Sequence, residues 1–291
     1  MAAQVACRVS DAAGPRPALT AKALRQIKRS NAPRRHRPEI GLLHHGVMNT
    51  LATDIRALSF DIFGTVVDWR SSIIGEGQAL QQRLGAAAGA PADWPALADA
   101  WRAGYFSTMK QVAKGDLPWT NIDGLHRLIL DELLPRFGLA HLPEAEREHL
   151  NRAWHRLAPW PDSVAGLTRL RRRYVLATLS NGNMALLVNM AKHAGLPWDC
   201  VLSAELFGRY KPDPEVYRGA ARLLGFEPGQ VMMVAAHPFD LAAAQRAGLK
   251  TAYIPRPAER GPGGWMEPVG DTVFDIVAPN LGALAAQLGI A

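Results

Sequence analysis

The stretch FDIFGT contains a residue whose type and position could do chemistry. The apolar run Ala57–Phe60 is typical of a buried strand, and it leads into Asp61 and a turn at Gly64. Open parallel sheets bind ligands at the carboxyl ends of their strands, so a carboxylate placed here is a catalytic candidate. The residue two places after Asp61 is Phe63, which raises the question of what chemistry uses this carboxylate without an acidic neighbour.

Three further segments place polar residues at or near the ends of predicted strands. They are LSNG at residues 179–182, YKPDPEVY at 210–217 and MMVAAHPFDLAAAQRAG at 232–248. A single D-x-x-G-T match is common in proteins. Four segments in this order, at a spacing that suits alternating strands and helices, form a specific signal.

The elements that must position these residues alternate along the chain. Short apolar runs predict strands at Ala57–Phe60, Val175–Leu179, Val201–Ser203, Val231–Ala235 and Thr251–Ile254. Helical spacing and glycine stops predict helices at Ser163–Arg172, Met184–Ala194, Pro214–Leu224 and Asp240–Ala247. This alternation predicts an α/β fold with a Rossmann-like open sheet of parallel strands and crossover helices.

One interval, residues 71–159, departs from the alternation. No convincing strand is predicted there, and the apolar spacing indicates about four helices. An insertion directly after the first strand would lie over the carboxyl ends of the strands, like a lid. The predicted domains are therefore a core of residues 48–70 and 160–291 and a helical cap of residues 71–159.

The N-terminal extension, residues 1–47, carries the excess positive charge. It holds nine Lys or Arg residues and two acidic residues, whereas the other 244 residues hold 24 of each sign. The net charge of +7 therefore does not indicate a nucleic-acid partner for the folded part. The extension is predicted to be disordered. An upstream extension before a start at Met48 is the favoured interpretation, a transit peptide the second, and a nucleic-acid-binding arm the third.

Composition narrows the class of protein. No apolar run approaches the roughly 20 residues that a membrane span needs. Cys7 and Cys200 are the only cysteines, which disfavours a disulfide framework and favours a reducing, cytoplasmic location. Organelle import through the extension stays an alternative. The sequence leaves the oligomeric state open, with a homodimer as one alternative.

From Ala57 to the C-terminus, the four segments resemble the haloacid dehalogenase superfamily, and within it the L-2-haloacid dehalogenases of type II. The resemblance implies that Asp61 is a nucleophile, that Lys211 keeps it ionised, and that Asp240 orients or activates water. It also implies supporting positions, which are Thr65, Arg102, Ser180, Asn181 and Tyr217. The helical interval corresponds to that family's cap.

The reaction implied by the resemblance is the hydrolysis of a small (S)-2-haloacid to an (R)-2-hydroxyacid through an ester on Asp61. Arg102 would receive the halide, with Asn181 as a second donor. Thr65 and Ser180 would bind the substrate carboxylate. The alkyl pocket would be walled by aromatic residues, namely Phe63, Phe106 and Phe239.

Phosphatases of the same superfamily carry a second aspartate in the first segment and further acids in the fourth, and these bind Mg²⁺. Here the corresponding residues are Phe63 and the pair Ala235 and Ala236. Since Mg²⁺ requires hard oxygen ligands, the sequence predicts no metal and no other cofactor. An aromatic ring at Phe63 suits an apolar carbon skeleton.

The sequence departs from the type II pattern in its fourth segment. Typical members have Ser and Asn where this chain has Ala235 and His237. His237 could act as a replacement donor or base, or ester hydrolysis could be slow. Three alternatives to a dehalogenase stay open: a Mg²⁺-dependent phosphatase on the same fold, a related hydrolase that opens a C–N ring, and a non-enzymatic binding protein.

Overall fold

The computed structural model describes residues 54–291, so the predictions for the extension and its boundary at Met48 lie outside the described residues. In chain order the strands are β1 (Ala57–Phe60), β2 (Val67–Asp68), β3 (Ala158–Pro159), β4 (Val175–Thr178), β5 (Val231–Ala235), β6 (Lys250–Tyr253) and β7 (Ile276–Val277). The helices are α1 (Trp69–Leu84), α2 (Trp94–Lys114), α3 (Ile122–Arg136), α4 (Glu144–Asn151), α5 (Ser163–Leu170), α6 (Met184–Ala194), α7 (Pro214–Leu223), α8 (Pro238–Ala247) and α9 (Leu281–Gln287).

Five strands form a parallel sheet in the order β4-β1-β5-β6-β7. Strand β1 pairs with β4 on one side and β5 on the other, so Ala57 stands beside both Val175 and Val231. Side chains of successive residues leave a strand on opposite faces. Accordingly, Met232 and Val234 belong to one apolar cluster, whereas Met233 belongs to the other. Both faces of the sheet are thus buried under helices, which confirms the predicted α/β class.

The four helices α1 to α4 form the insertion between β2 and β3. Strands β2 and β3 pair antiparallel, with Val67 opposite Pro159, so the chain leaves and returns side by side. Helix α1 begins at Trp69 after the N-cap Asp68, whose side chain accepts from the Ser71 N–H. The apolar faces of these helices join the larger cluster of the core, through residues such as Trp101. We call residues 69–157 the helical insertion.

The differences from the sequence prediction concern short strands. The predicted strand Val201–Ser203 is wrong, because this segment forms no regular ladder and its one isolated bridge joins Ser203 to Ser180, two residues beyond β4. The side chain of Thr178 takes the place of a backbone ladder: its hydroxyl donates to the Leu202 carbonyl and accepts from the Leu202 N–H. Strand β3 also lies at the end of an interval predicted to lack strands, and the pattern did not predict β7.

The carboxyl ends of β1, β4 and β5 lie side by side because the three strands are parallel neighbours. The segments that follow them carry Asp61, Ser180 and His237. The fold therefore gathers the first, second and fourth sequence segments at one edge of the sheet. Among residues 54–291, no helix combines the length and apolar character that a bilayer crossing requires.

Two glycines of α1 give a matched test of packing in the insertion. A Cβ at Gly77 would lie 2.1 Å from the Trp94 ring, whereas a Cβ at Gly75 would meet nothing within 4 Å. We expect Gly77→Ala to lower the free energy of unfolding by about 1–3 kcal/mol through overpacking. Gly75→Ala is expected to raise it by up to about 1 kcal/mol, since alanine favours a helix.

Urea unfolding of both variants, followed by circular dichroism, measures the two free energies of unfolding. Equal effects of the two substitutions would contradict the close approach of α1 to Trp94.

Candidate active site

Asp61 lies directly after β1, a strand with neighbours on both sides in the sheet. Its N–H donates to the Val234 carbonyl at 3.0 Å, which continues the pairing with β5 by one residue. Asp61 is 7% exposed. The turn that follows needs Gly64, whose φ of 85° is strained for any residue with a Cβ.

Both carboxylate oxygens of Asp61 accept hydrogen bonds. Oδ1 accepts from Lys211 Nζ at 2.9 Å, and Oδ2 accepts from the Thr65 hydroxyl at 2.8 Å. His237 Nδ1 lies 3.2 Å from the same Oδ2. Burial raises the pKa of Asp61, but the Lys211 charge and the His237 hydrogen bond outweigh it and hold the pKa well below its usual range. Asp61 is therefore an ionised carboxylate in a buried place.

Lys211 lies between two carboxylates. Its Nζ donates to Asp240 Oδ2 at 2.6 Å as well as to Asp61. Burial lowers the pKa of Lys211, but the charges of Asp240 and Asp61 outweigh it, so that the pKa is raised. Burial raises the pKa of Asp240, and Tyr217 donates its hydroxyl to Asp240 Oδ1 at 2.5 Å. A carboxylate with a raised pKa can take up a proton more readily than an exposed aspartate.

The second sequence segment positions Lys211 through its backbone. The Lys211 N–H donates to Asn181 Oδ1 at 2.7 Å. The Gly182 N–H donates to the Ser180 hydroxyl at 3.1 Å, which fixes the turn after β4. Asn181 Nδ2 has a weak contact with Met109 Sδ at 3.5 Å, so one polar amide group faces the insertion.

Arg102, on α2, brings a positive charge to the same place. It is 7% exposed, and its guanidinium carbon lies 4.9–5.9 Å from the ring centroids of four aromatic residues, which are Phe63, Trp69, Tyr105 and Phe106. Its Nε has no hydrogen-bond partner, and within the described part of the chain no carboxylate forms a salt bridge with it. A buried, unpaired guanidinium among aromatic rings is suited to receive an anion.

These side chains surround a cavity of about 30 Å³. Its lining consists of Asp61, Phe63, Arg102, Tyr105, Phe106, Ser180, Asn181, Lys211, His237, Phe239 and Asp240. A cleft of about 1330 Å³ shares five of these residues, including Phe106 and Phe239, whose rings meet edge to face at 6.1 Å. The sequence-predicted residues are thus brought together around one small space, with Thr65 and Tyr217 outside its lining.

Thr65 and Tyr217 contact the carboxylates instead of the cavity. The Thr65 hydroxyl accepts from the Ala236 N–H at 2.9 Å and donates its proton to Asp61. Tyr217 is fully buried, and its hydroxyl is used by Asp240. Both hydroxyls are thus placed to orient the carboxylates, and the part of Thr65 and Tyr217 in binding substrate stays a prediction.

Sequence reasoning missed Glu259. This residue is 7% exposed, and its carboxylate lies 3.1 Å from His237 Nε2 and accepts from Trp69 Nε1 at 3.0 Å. It lies in the segment RPAERGPGG after β6, which has no periodicity and no motif that could have signalled a site. Trp69 and Tyr105 were also missed, because aromatic residues on helices are usually core residues.

The donor set does not fit a magnesium ion. Among residues 54–291, no group of three or more His, Cys, Asp or Glu side chains is arranged to hold a metal. The oxygens of Asp61 accept from an ammonium, a hydroxyl and an imidazole, and the neighbours Phe63 and Ala236 are apolar. The Lys211 ammonium already balances the Asp61 charge at 2.9 Å, and Phe63 and Ala236 add none of the hard oxygen ligands that Mg²⁺ requires.

Solved structures of similar fold include two L-2-haloacid dehalogenases. The L-2-haloacid dehalogenase PA0810 is 49% identical and superimposes with a TM-score of 0.77, covering 81% of this chain and 99% of its own. The defluorinating L-2-haloacid dehalogenase Rha0230 is 43% identical, with a TM-score of 0.76, covering 81% of this chain and 95% of its own.

Sequence relatives agree with these structures. The (S)-2-haloacid dehalogenase 4A of Burkholderia cepacia is 31% identical over 218 residues, which is 71% of this chain and 85% of that protein. A plasmid phosphoglycolate phosphatase of Cupriavidus necator is 29% identical over 83% of this chain and 96% of its own. The family model for a haloacid dehalogenase-like hydrolase matches residues 55–248. The resemblance inferred from four short segments is confirmed, and the chain belongs to the haloacid dehalogenase-like hydrolase family.

Proposed function

We propose that this chain hydrolyses (S)-2-haloacids to (R)-2-hydroxyacids through a covalent ester on Asp61 and without a metal ion. The observation that carries the proposal is an ionised, buried carboxylate that faces an unpaired guanidinium across a small cavity. Relatives named (S)-2-haloacid dehalogenase support the substrate class.

The first step is displacement at carbon. A carboxylate oxygen of Asp61 forms a bond to C2 of the substrate, while the carbon–halogen bond breaks and its electron pair leaves with the halide. Lys211 keeps Asp61 ionised by its charge at 2.9 Å. Because the attack comes from the side opposite to the halogen, the configuration at C2 inverts once.

Arg102 stabilises the departing halide. Its guanidinium lacks an ion-pair partner in the described part of the chain and is surrounded by aromatic rings. The halide that forms there is attracted by the positive charge of Arg102, and this attraction is strong because the site is buried. The second donor is Asn181 Nδ2, whose contact with Met109 Sδ at 3.5 Å is weak, because a thioether sulfur is a poor acceptor.

The second step frees the enzyme. Water attacks Cγ of the Asp61 ester, and Asp240 takes its proton, helped by a raised pKa. The hydroxyacid then leaves with the oxygen that came from Asp61, and it takes up that proton. The water oxygen remains in the Asp61 carboxyl group, which releases a proton to solvent.

Substrate fit follows from the lining. Phe63, Phe106 and Phe239 offer apolar walls to a short alkyl group. Ser180 and backbone N–H groups after β1 would bind the substrate carboxylate. Thr65 and Tyr217 would act indirectly: the Thr65 hydroxyl orients Asp61, and the Tyr217 hydroxyl orients Asp240.

The helical insertion is proposed to act as a cap on the core. Helix α2 supplies Arg102 and Phe106, and the core supplies Asp61 and Phe239, so the cavity needs both parts. The boundary near residues 70 and 160 agrees with the β2–β3 pair as the junction. The proposed reaction requires a small haloacid and water as its partners.

We further propose a cytoplasmic location. A homodimer is the oligomeric state that light scattering would test first.

Isotope labelling tests the covalent route. A single turnover of 2-chloropropionate in ¹⁸O-water, with enzyme in excess, is expected to give largely unlabelled hydroxyacid. The label is expected in the peptide that contains Asp61, as measured by mass spectrometry. Asp61→Asn should abolish turnover, and (S)-substrate should give (R)-product. Label in the product of the first turnover, with Asp61 unlabelled, would show that water attacks carbon directly.

Substitution of Arg102 tests the halide site. Arg102→Lys keeps the charge but removes the planar fork, so we expect the rate of halide release to fall by about 10- to 100-fold. The matched control is Arg136→Lys, at an exposed position on α3, which should leave the rate unchanged. An unchanged rate for Arg102→Lys with both chloride and bromide substrates would remove Arg102 from the reaction.

Chelation separates the proposal from a phosphatase, the function of one relative. Turnover of 2-chloropropionate is expected to survive excess EDTA, because the apolar Phe63 and Ala236 supply no oxygen ligand for Mg²⁺ beside Asp61. Phosphoglycolate with added Mg²⁺ is expected to give no phosphate above background. Activity that disappears with EDTA and returns with Mg²⁺ would contradict the proposal.

A further inference from the structure

The imidazole of His237 lies between two buried carboxylates. Its Nδ1 is 3.2 Å from Asp61 Oδ2, and its Nε2 is 3.2 and 3.1 Å from the two oxygens of Glu259. His237 is 8% exposed and Glu259 is 7% exposed. The three side chains form a continuous line from the turn after β1 to the segment after β6.

This placement determines the protonation of the ring. A carboxylate can only accept a hydrogen bond, so both ring nitrogens must donate, and His237 is an imidazolium. The pKa agrees: burial lowers it, but hydrogen bonds to Asp61 and Glu259 outweigh burial and raise it to about 10. A ring with protons on both nitrogens cannot act as the base of ester hydrolysis, which was one of the roles that the sequence left open.

Glu259 is held in place by its own contacts. Trp69 Nε1 donates to Oε1 at 3.0 Å, and a Cβ on residue 64 would lie 2.3 Å from that same oxygen. Gly64 therefore leaves room for the Glu259 carboxylate as well as for the turn. Burial raises the pKa of Glu259, but the hydrogen bond with His237 lowers it further than burial raises it, so Glu259 is ionised.

The two oxygens of Asp61 are not equivalent. Oδ2 accepts from two donors, Thr65 and His237, whereas Oδ1 accepts from Lys211 alone. Oδ1 thus keeps a free lone pair and is the better placed nucleophile. After attack by Oδ1, Oδ2 becomes the carbonyl oxygen of the ester, with its two donors still in place.

We propose that His237 and Thr65 form the oxyanion hole for hydrolysis of the Asp61 ester, and that Glu259 is the positioning residue that keeps His237 a charged donor. The inference rests on the proposed function and concerns its second step. When water bonds to Cγ, the carbonyl π pair moves to Oδ2, where a cation and a hydroxyl stabilise it. The pair returns as the bond from Cγ to Oδ1 breaks and the hydroxyacid leaves.

This assignment also explains the departure from the type II pattern. A neutral donor at position 237, such as asparagine, would not need a carboxylate on its other side. A charged histidine needs one, because esterification removes the negative charge of Asp61. The Glu259 carboxylate then remains as the charge that keeps His237 protonated. Glu259 thus supplies a charge that lasts through the step in which it is needed.

A single-turnover experiment on Glu259→Gln tests the proposal. With enzyme in excess over 2-chloropropionate, halide release should stay within about 3-fold of the unsubstituted enzyme. Hydroxyacid release should slow by at least about 10-fold, and the ester should accumulate as a mass shift on the intact protein. The matched control is Glu132→Gln, at an exposed position on α3, which should leave both rates unchanged.

A double-mutant comparison shows whether Glu259 acts through His237. His237→Gln alone should slow hydroxyacid release by about 100-fold. Adding Glu259→Gln to the His237→Gln variant should change the rate of hydroxyacid release by less than about 2-fold, because the imidazole that Glu259 positions is already absent. Additive effects would overturn the positioning role. If Glu259→Gln does not fold, as judged by circular dichroism, ester accumulation in His237→Gln decides the matter.

The outcomes separate the two proposals. If the unsubstituted enzyme releases no halide, the proposed function fails. If it forms the Asp61 ester but both variants hydrolyse that ester at the normal rate, the oxyanion hole proposed here is wrong while the dehalogenase assignment stands.

Discussion

The ammonium of Lys211, held between Asp61 and Asp240, is the interaction on which the site depends. Removing three charged groups from water costs several kcal/mol for each ion, and only close contacts can offset that cost. The contacts here are 2.9 and 2.6 Å. The network also joins three distant parts of the chain: the end of β1, the turn before α7 and the first turn of α8. The geometry of the strand ends is therefore tied to one cation.

The same arrangement gives each carboxylate a different character. Asp61 faces a cation and several donors, which hold its pKa low and keep it a carboxylate. Asp240 is more deeply buried and shares the cation, and its pKa is raised. Pairs of acids whose surroundings move their pKa values apart are a common way to divide the roles of nucleophile and base. Arg102 lines the same small cavity, and His237 Nδ1 lies 3.2 Å from Asp61 Oδ2, so both add positive charge around the ionised carboxylate.

Much of the fold and part of the site could be predicted from the sequence. Strands β1 and β5 match their predicted bounds, since short apolar runs before a turn have few other interpretations. The segment at Val201–Ser203 failed because periodicity does not show that the Thr178 side chain will replace the ladder. Asp61 was indicated by its place after a predicted strand, and Lys211 and Asp240 were indicated by the resemblance of the four segments to a known family. Glu259 could not be, because it comes from an irregular segment and approaches His237 only through tertiary folding.

The segment beside β4 has a consequence for association between molecules. An exposed, regular edge strand is a template on which another chain can add a strand. At this edge the Thr178 hydroxyl already satisfies both the N–H and the carbonyl of Leu202, so the outer segment does not continue the sheet as a regular ladder. At the opposite edge, β7 is only two residues long. Addition of a strand from another copy of the chain is thus disfavoured at both ends, because neither end offers a long and regular edge strand.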